Sequence, residues 1–260
     1  MTQPVRIAMW SGPRNISTAM MRAFENRGDC AVVDEPFYAH YLAHTQLDHP
    51  GRDEIVAAGE TDWRRVAAAL VGPVPGGKSV FYQKHMTHHM LPQIAHDWFD
   101  ALAHVFLIRD PRQVLASYIK SRPHADVSAA DIGVPQQAAL YDEIAARSGH
   151  PPPVIDADAF LKDPEIHLRA LCTLLQIPYT DRMLHWPAGA RASDGIWAPY
   201  WYDAVRKSTG FEPWHESNPA VPEAHRSTIE ICLPAYARLF ARRLAPRAGG
   251  FAAAASIAVS

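Results

Sequence analysis

The stretch that decides the fold runs from Val5 to Thr18 and reads VRIAMWSGPRNIST. Its first part, Val5–Trp10, is a mostly apolar run of the length that a buried strand needs. The remainder combines a glycine turn, a cationic side chain and hydroxyl residues where a helix is predicted to start. Backbone N–H groups at a helix N-terminus bind anions, and an arginine adds a bidentate charge. We therefore predict a phosphate-binding loop that contains Gly12, Pro13, Arg14, Asn15, Ile16, Ser17 and Thr18.

The rest of the chain continues this alternation of short apolar runs and longer helical stretches. Further strands are predicted at 31–33, 79–84, 104–108 and 151–155, and helices at 17–27, 164–175 and 222–244. Strands that alternate with helices are typical of a parallel sheet with helices on its faces. We found no linker, so we predict one α/β domain with about five strands over residues 1–245, followed by an Ala/Gly-rich tail at 246–260.

Charge and composition exclude several classes of protein. The 260 residues carry 25 Lys and Arg against 27 Asp and Glu, which argues against nucleic-acid binding through bulk positive charge. The three cysteines, Cys30, Cys172 and Cys232, lie far apart and form no disulfide framework, which suits a reducing compartment. No apolar run reaches the roughly 18 residues of a membrane helix. We expect a cytoplasmic protein that neither binds nucleic acid nor inserts into a membrane, and we leave open whether it forms a homodimer.

Four loops that carry reactive side chains follow four predicted strands. The phosphate-binding loop follows the first strand, Glu35 the second, Lys84 and His85 the third, and Arg109 the fourth. In an open parallel sheet, ligands bind beyond the carboxyl ends of the strands. We therefore expect these side chains to form one site at one edge of the sheet.

Two of these stretches resemble a known family, the sulfotransferases that use 3′-phosphoadenosine 5′-phosphosulfate. Residues 13–18, PRNIST, are similar to the family's loop for the 5′-phosphosulfate, with Arg14 where many members have lysine. The family also grips the 3′-phosphate with an arginine at a strand end and a serine eight residues later, which here are Arg109 and Ser117. A weaker likeness joins Arg206 and Lys207 to a loop that closes over the same phosphate.

The resemblance implies a P-loop NTPase-like sulfotransferase fold and an activity. It implies transfer of a sulfuryl group from 3′-phosphoadenosine 5′-phosphosulfate to a hydroxyl or amine of a small molecule or peptide, with adenosine 3′,5′-bisphosphate as product. Arg14 would stabilise the transition state, and a general base would take the acceptor proton. Glu35 is the favoured base. His85 is the second candidate, although it stands one residue out of register with the family's Lys-x-His, and His88 and His89 lie close by.

Two other functions remain open from the residues alone. A nucleotide-dependent kinase or ATPase would explain the strand before Asp34 and Glu35, which imitates a magnesium-binding Walker B strand, but the Gly-Lys pair of a Walker A loop is missing. A non-catalytic nucleotide-binding protein could keep the fold without a base. No metal is expected to be required, because no set of ligands stands at the spacing of a metal site.

Overall fold

A single parallel sheet forms the centre of the protein. The computed structural model describes residues 3–121 and 126–246, so all but the first residue of the predicted tail lies outside the described residues. The five strands run parallel in the order β2-β3-β1-β4-β5. They are β1 (Val5–Ser11), β2 (Cys30–Asp34), β3 (Val80–Met86), β4 (Ala103–Ile108) and β5 (Val154–Asp156). The prediction of an α/β domain with five strands is confirmed.

Helices connect the strands and cover both faces of the sheet. In the described part of the chain they are α1 (Ser17–Glu25), α2 (Tyr38–Thr45), α3 (Arg52–Ala58), α4 (Trp63–Val71), α5 (Pro111–Ser121), α6 (Ala129–Ile132), α7 (Val134–Ser148), α8 (Ala157–Lys162), α9 (Pro164–Leu174), α10 (Ala198–Trp201), α11 (Asp203–Lys207) and α12 (Arg226–Phe240). None of them combines the length and the apolar character that crossing a bilayer requires.

Alternate residues of β1 enter two separate cores, as expected for a strand that is buried on both faces. Ile7 and Met9 pack with Met20 and Phe24 of α1 and with α9. Ala8 and Trp10 face the opposite core, which α4, α7 and the end of α12 complete. This two-sided burial explains why the first strand reads as a continuous apolar run instead of an alternating one.

The strand order places the predicted loops at a topological switch point. The chain moves from β1 to β2 and β3 on one side of the sheet and then crosses to β4 on the other side of β1. Ligand sites in open parallel sheets lie where the strand order reverses, beyond the carboxyl ends of the strands. The loops after β1 and β4 flank that reversal, and those after β2 and β3 lie beside it.

Strand β3 is longer than predicted and carries polar residues into the core. It extends through His85 to Met86, and its residues are buried throughout. The His85 ring stacks on Trp10 with 4.3 Å between the ring centroids, and its Nε2 lies 3.1 Å from the Gln83 Oε1. Burial lowers the pKa of His85 to about 3. The imidazole is therefore neutral in the folded protein at neutral pH.

This buried histidine predicts a loss of stability in mild acid. As the pH falls below about 6.5, the unfolded chain binds a proton that folded His85 does not bind until about pH 3, so unfolding becomes easier. The expected slope is about 1.4 kcal/mol per pH unit for one such group. His85→Asn should therefore lose about 2–3 kcal/mol less than the parent protein between about pH 7 and about pH 4.5, measured by urea unfolding.

His150→Asn is the matched control, because His150 is an exposed histidine. We expect it to leave the slope unchanged. Equal slopes for His85→Asn and the parent protein would contradict the assignment of a neutral, buried His85.

Candidate active site

A cavity of about 410 Å³ opens at the carboxyl edge of the sheet. The side chains that line it come from all four predicted loops and from segments beyond the sheet. From the loops they include Arg14, Ser17, Thr18, Glu35, Lys84 and Arg109. The structure thus brings the predicted site residues of four separate loops to one cavity, which no single motif could have shown.

The loop after β1 forms a cradle at the N-terminus of α1. Residues 13–19 line the cavity, and α1 begins at Ser17. The Asn15 side chain donates to the Leu107 carbonyl oxygen over 3.1 Å, and its Oδ1 accepts from the Ile16 N–H over 2.8 Å. The first N–H groups of a helix have no partner within the helix, so those of α1 are available to an anion.

Gly12 supports the cradle from behind. It does not line the cavity. A Cβ atom at this position would stand 2.7 Å from the Ile132 carbonyl oxygen, at the end of α6. The packing of the loop against the protein therefore requires a glycine here, and its role in binding stays a prediction.

Arg14 and Arg109 place two guanidinium groups beside the cradle. Arg14 Nε donates to the Ser117 Oγ over 3.0 Å, and Arg109 Nη1 donates to the Arg14 carbonyl oxygen over 2.9 Å. Burial lowers the pKa of both arginines, yet a guanidinium stays charged in proteins. Arg109 and Ser117 both line the cavity, as the predicted anion site requires, with Ser117 bound to Arg14.

Gln113 fixes the direction of Arg109. Its Oε1 accepts from Arg109 Nε over 3.0 Å, and its Nε2 donates to Asp158 over 2.7 Å. The arginine is thus held from both its Nε and Nη1 sides before any ligand arrives. Gln113 is not among the residues predicted from the sequence. Its spacing of four residues from Arg109, about one helical turn, is the signal that could have found it.

Glu35 belongs to a buried group of charges at the ends of β2 and β3. Its Oε1 accepts a hydrogen bond of 2.6 Å from the Lys84 ammonium, which also donates to Asp34 and to the Tyr202 hydroxyl over 2.8 Å each. Burial raises the pKa of Glu35, the Lys84 charge opposes this rise and the Asp34 charge adds to it. Burial would lower the pKa of Lys84, but the two carboxylates raise it well above its usual value.

Two of the three residues predicted to act on the reacting groups, Arg14 and Glu35, adopt the left-handed backbone region. The φ angle is +54° at Arg14 and +40° at Glu35. Non-glycine residues adopt this region at a cost, and such positions concentrate at functional sites. Hydrogen bonds hold both backbones, since the Arg14 carbonyl accepts from Arg109 and the Glu35 N–H donates to the Lys84 carbonyl over 2.9 Å.

His85 is not part of the cavity, which corrects its prediction as a second candidate base. Neighbouring residues of a strand point to opposite faces, so the Lys84 side chain faces the cavity and His85 faces the core with Trp10. The sequence pattern predicts that β3 ends at Lys84, whereas the strand continues to Met86. The family's Lys-x-His spacing would return the histidine to the cavity side, and the Lys-His spacing here does not.

His88 and His89 do line the cavity, in the turn that follows β3. The His89 ring stacks on Tyr38 and on Tyr41, with 4.7 Å between ring centroids in each case. Burial lowers the pKa of His88 to about 4 and that of His89 well below its usual value. Both imidazoles are therefore neutral at neutral pH and form part of the aromatic wall of the cavity. Their lowered pKa makes them poor proton acceptors.

The predicted closing loop borders the cavity through other residues than Arg206 and Lys207. Lys207 is exposed, and Arg206 Nε lies 3.9 Å from an Asp194 carboxylate oxygen. The cavity is lined instead by Ser208, Gly210 and Phe211, which follow directly. The loop is in the expected place, but its two cations do not face the cavity.

The fold and the cavity together define a parallel α/β protein whose first loop lines a cavity at the switch point of its sheet. The chain belongs to the sulfotransferase domain family, whose model matches residues 5–243. It is 37% identical over 230 residues to branched-chain-amino-acid aminotransferase-like protein 2 of Arabidopsis thaliana, and 37% identical over 236 residues to protein 1 of the same name. These matches cover 88% and 91% of this chain but only 40% and 42% of the relatives, so the chain spans less than half their length.

Solved structures agree with the fold. A sulfotransferase from Alicyclobacillus acidocaldarius aligns with a TM-score of 0.54 at 13% identity, over 93% of this chain and 96% of that one. The sulfotransferase domain of the Synechococcus PCC 7002 olefin synthase aligns with a TM-score of 0.50 at 12% identity, over 89% of this chain and 95% of that one. At such identities the likeness shows a shared architecture, and function has to be argued from the site.

The packing of Gly12 gives a prediction for stability. Gly12→Ala places a methyl group against a backbone oxygen that cannot rotate away, so the loop or α6 must move. We expect a loss of about 1–3 kcal/mol in the free energy of unfolding, the usual cost of overpacking. Urea unfolding measures it, and an unchanged midpoint would show that the end of α6 yields freely.

Proposed function

We propose that this sulfotransferase moves a sulfuryl group from 3′-phosphoadenosine 5′-phosphosulfate to a hydroxyl or amine of a small-molecule or peptide acceptor. The observation that carries the proposal is the shared cavity. It joins a helix N-terminus, two arginines and a carboxylate of raised pKa, contributed by three loops. Anion binding and proton removal are the two tasks that such a transfer sets a protein.

The cavity offers separate places for the two ends of this donor. The α1 N-terminus and Arg14 would hold the phosphosulfate end, where backbone N–H groups and a guanidinium match a dense negative charge. Arg109 and Ser117 would hold the 3′-phosphate. The donor supplies an activated sulfuryl group whose leaving group is already a phosphate. Arg14 would stabilise the charge that develops on the transferred group, as cations do in phosphoryl transfer.

Glu35 would act as the general base. The acceptor's O–H or N–H bond breaks as its oxygen or nitrogen bonds to sulfur, while the bond from sulfur to the phosphate oxygen breaks and that oxygen keeps the electron pair. The proton passes to a Glu35 carboxylate oxygen. Glu35 is 12% exposed, at the wall of the cavity, and its raised pKa makes it a stronger base than a surface glutamate.

Aromatic side chains would form the acceptor half of the cavity. The residues that line it are Tyr38, His89, Trp201 and Tyr202, together with Met86. Pockets for small molecules are mostly apolar with a few polar groups. The aromatic segments 37–41 and 186–202 contribute Tyr38, Trp201 and Tyr202 to this wall.

The position of Asp34 argues against the kinase or ATPase alternative. A Walker B aspartate faces the phosphates and the magnesium ion. Asp34 is absent from the lining of this cavity and accepts hydrogen bonds from Lys84, Tyr202 and the Gly195 N–H. These bonds occupy the carboxylate oxygens that a magnesium ion would need.

The cysteines support a cytoplasmic site of action. Cys30, Cys172 and Cys232 are all buried free thiols. Burial raises the pKa of Cys30 to about 12 and of the other two to about 11, which keeps them protonated and unreactive. A chain that depends on no disulfide suits a reducing compartment.

Arg109 should set the preference for a second phosphate. Arg109→Ala should remove about 1.5–3 kcal/mol of the preference for adenosine 3′,5′-bisphosphate over AMP, the range of a charge-assisted hydrogen bond. Calorimetric titration with both nucleotides measures it. Arg112→Ala is the matched control, because Arg112 pairs with Asp110 and does not line the cavity. An unchanged ratio of affinities in Arg109→Ala would refute the assignment.

Glu35 should be needed for turnover and not for donor binding. Glu35→Gln keeps the shape of the side chain and removes the base, so the single-turnover rate should fall about 10²–10⁴-fold with donor affinity nearly unchanged. The acceptor is first found by mass spectrometry, as a donor-dependent gain of one sulfuryl group. His85→Asn should cost less, because His85 lies outside the cavity. Loss of donor binding in Glu35→Gln would mean that Glu35 organises the loop instead.

A further inference from the structure

The ammonium group of Lys84 has no hydrogen left for a ligand. An ammonium donates three hydrogen bonds, and Lys84 donates one each to Asp34, Glu35 and Tyr202. Its side chain is 2% exposed. Lysine at this strand end could therefore reach a leaving group only by breaking one of these bonds, which leaves the question of what the group is for.

Asp34 is bound more fully than Glu35. Three donors converge on Asp34: Lys84, the Tyr202 hydroxyl over 2.6 Å and the Gly195 N–H over 3.1 Å. In the described residues, Glu35 has one donor to its carboxylate, Lys84. One cation thus serves two carboxylates, of which the inner one is buried at 1% exposure and the outer one faces the cavity.

The charged and titratable groups that face Glu35 come from three elements. Asp34 precedes it on β2, Lys84 lies on β3 in register with Asp34, and Tyr202 follows α10. The Lys84 charge lowers the pKa of Glu35, the Asp34 charge raises it, and Tyr202 has its own pKa raised by burial and by both carboxylates. The electrostatic balance at Glu35 therefore depends on how Lys84 is shared.

We propose that Asp34 is a positioning residue that holds Lys84 between the two carboxylates and thereby keeps Glu35 basic enough to take the acceptor proton. This inference rests on the proposed function and adds a second carboxylate to it. Without Asp34, Lys84 would pair with Glu35 alone and weaken it as a base. Without Lys84, two carboxylates would face each other and Glu35 would remain protonated at neutral pH. The shared lysine places Glu35 between these limits.

Tyr202 is the third partner of the Lys84 ammonium. Its hydroxyl accepts a hydrogen bond from Lys84 and donates one to Asp34, so it links the two side chains. Trp197 Nε1 lies 3.3 Å from the same oxygen. The segment that carries Trp197 and Tyr202 also supplies cavity walls, so the contact ties the shape of the acceptor half to the state of the base.

The test measures the Glu35 titration and the reaction separately. In protein labelled with ¹³C at the glutamate carboxyls, the Glu35 signal is assigned by its loss in Glu35→Gln. Asp34→Asn should lower the Glu35 pKa by about one unit, and Lys84→Gln should raise it by about 1–3 units. The acid limb of the single-turnover rate against pH should move in the same two directions.

Two further variants guard the interpretation. Asp34→Asn with Lys84→Gln removes both charges, leaves no buried ion unpaired and should return the Glu35 pKa towards the parent value, even if a single variant folds poorly. Asp156→Asn is the matched control. Asp156 also ends a strand, is buried, and accepts from a tyrosine hydroxyl, that of Tyr236 over 3.0 Å, but lies outside this group.

The outcomes separate this proposal from the proposed function. Opposite shifts of the Glu35 pKa in the two single variants, absent in Asp156→Asn, support the positioning role even if no acceptor is ever sulfated. Sulfuryl transfer with a Glu35 pKa that moves in neither Asp34→Asn nor Lys84→Gln would overturn the positioning role and leave the function standing.

Discussion

The buried ammonium of Lys84 is the constraint on which the site depends. A charge taken out of water needs partners close by, or the protein loses several kcal/mol. The parallel register of β2 and β3 places Asp34 directly beside it, and the turn after β2 brings Glu35 to its other side. The Tyr202 hydroxyl accepts from the same ammonium, and this contact fixes the position of the chain directly after α10. A single buried cation thus fixes two strand ends and one wall of the cavity.

The left-handed backbone at Arg14 and Glu35 follows from the short distance between each strand end and the cavity. Arg14 lies three residues after β1 ends and Glu35 one residue after β2 ends, so the chain must turn sharply to bring each side chain to the cavity at the sheet edge. Left-handed backbone at +54° and +40° makes that turn without a glycine, and the functional side chain is kept. Surrounding hydrogen bonds have to hold such a conformation, since an isolated residue would relax. Those bonds come from the Arg109 guanidinium and from the Lys84 backbone carbonyl, so residues of the site also support its backbone.

Local patterns predicted the fold and most of the loop residues that line the cavity. The apolar run at Val5–Trp10 and the polar turn after it reflect burial and helix capping, which depend on neighbours in sequence. The partners of Lys84 could not be predicted in this way, because Tyr202 lies 118 residues away and meets it only through the folded chain. His85 was misplaced for a smaller reason. Strand β3 ends two residues later than predicted, so His85 lies within the strand. Because successive side chains of a strand point to opposite faces, the His85 side chain faces the core.

The two halves of the cavity are built by different means, and this difference bears on how acceptors are selected. The proposed donor half consists of strand ends and a helix N-terminus, whose geometry the sheet determines. The acceptor half consists of α2, the turn at Thr87–His89 and the irregular segment around α10 and α11, none of which pairs with the sheet. Loops on a rigid scaffold tolerate change in sequence better than the scaffold does. On the proposed function, acceptor choice can therefore change through these segments while the cradle, Arg109 and the Lys84 group continue to perform the same chemistry.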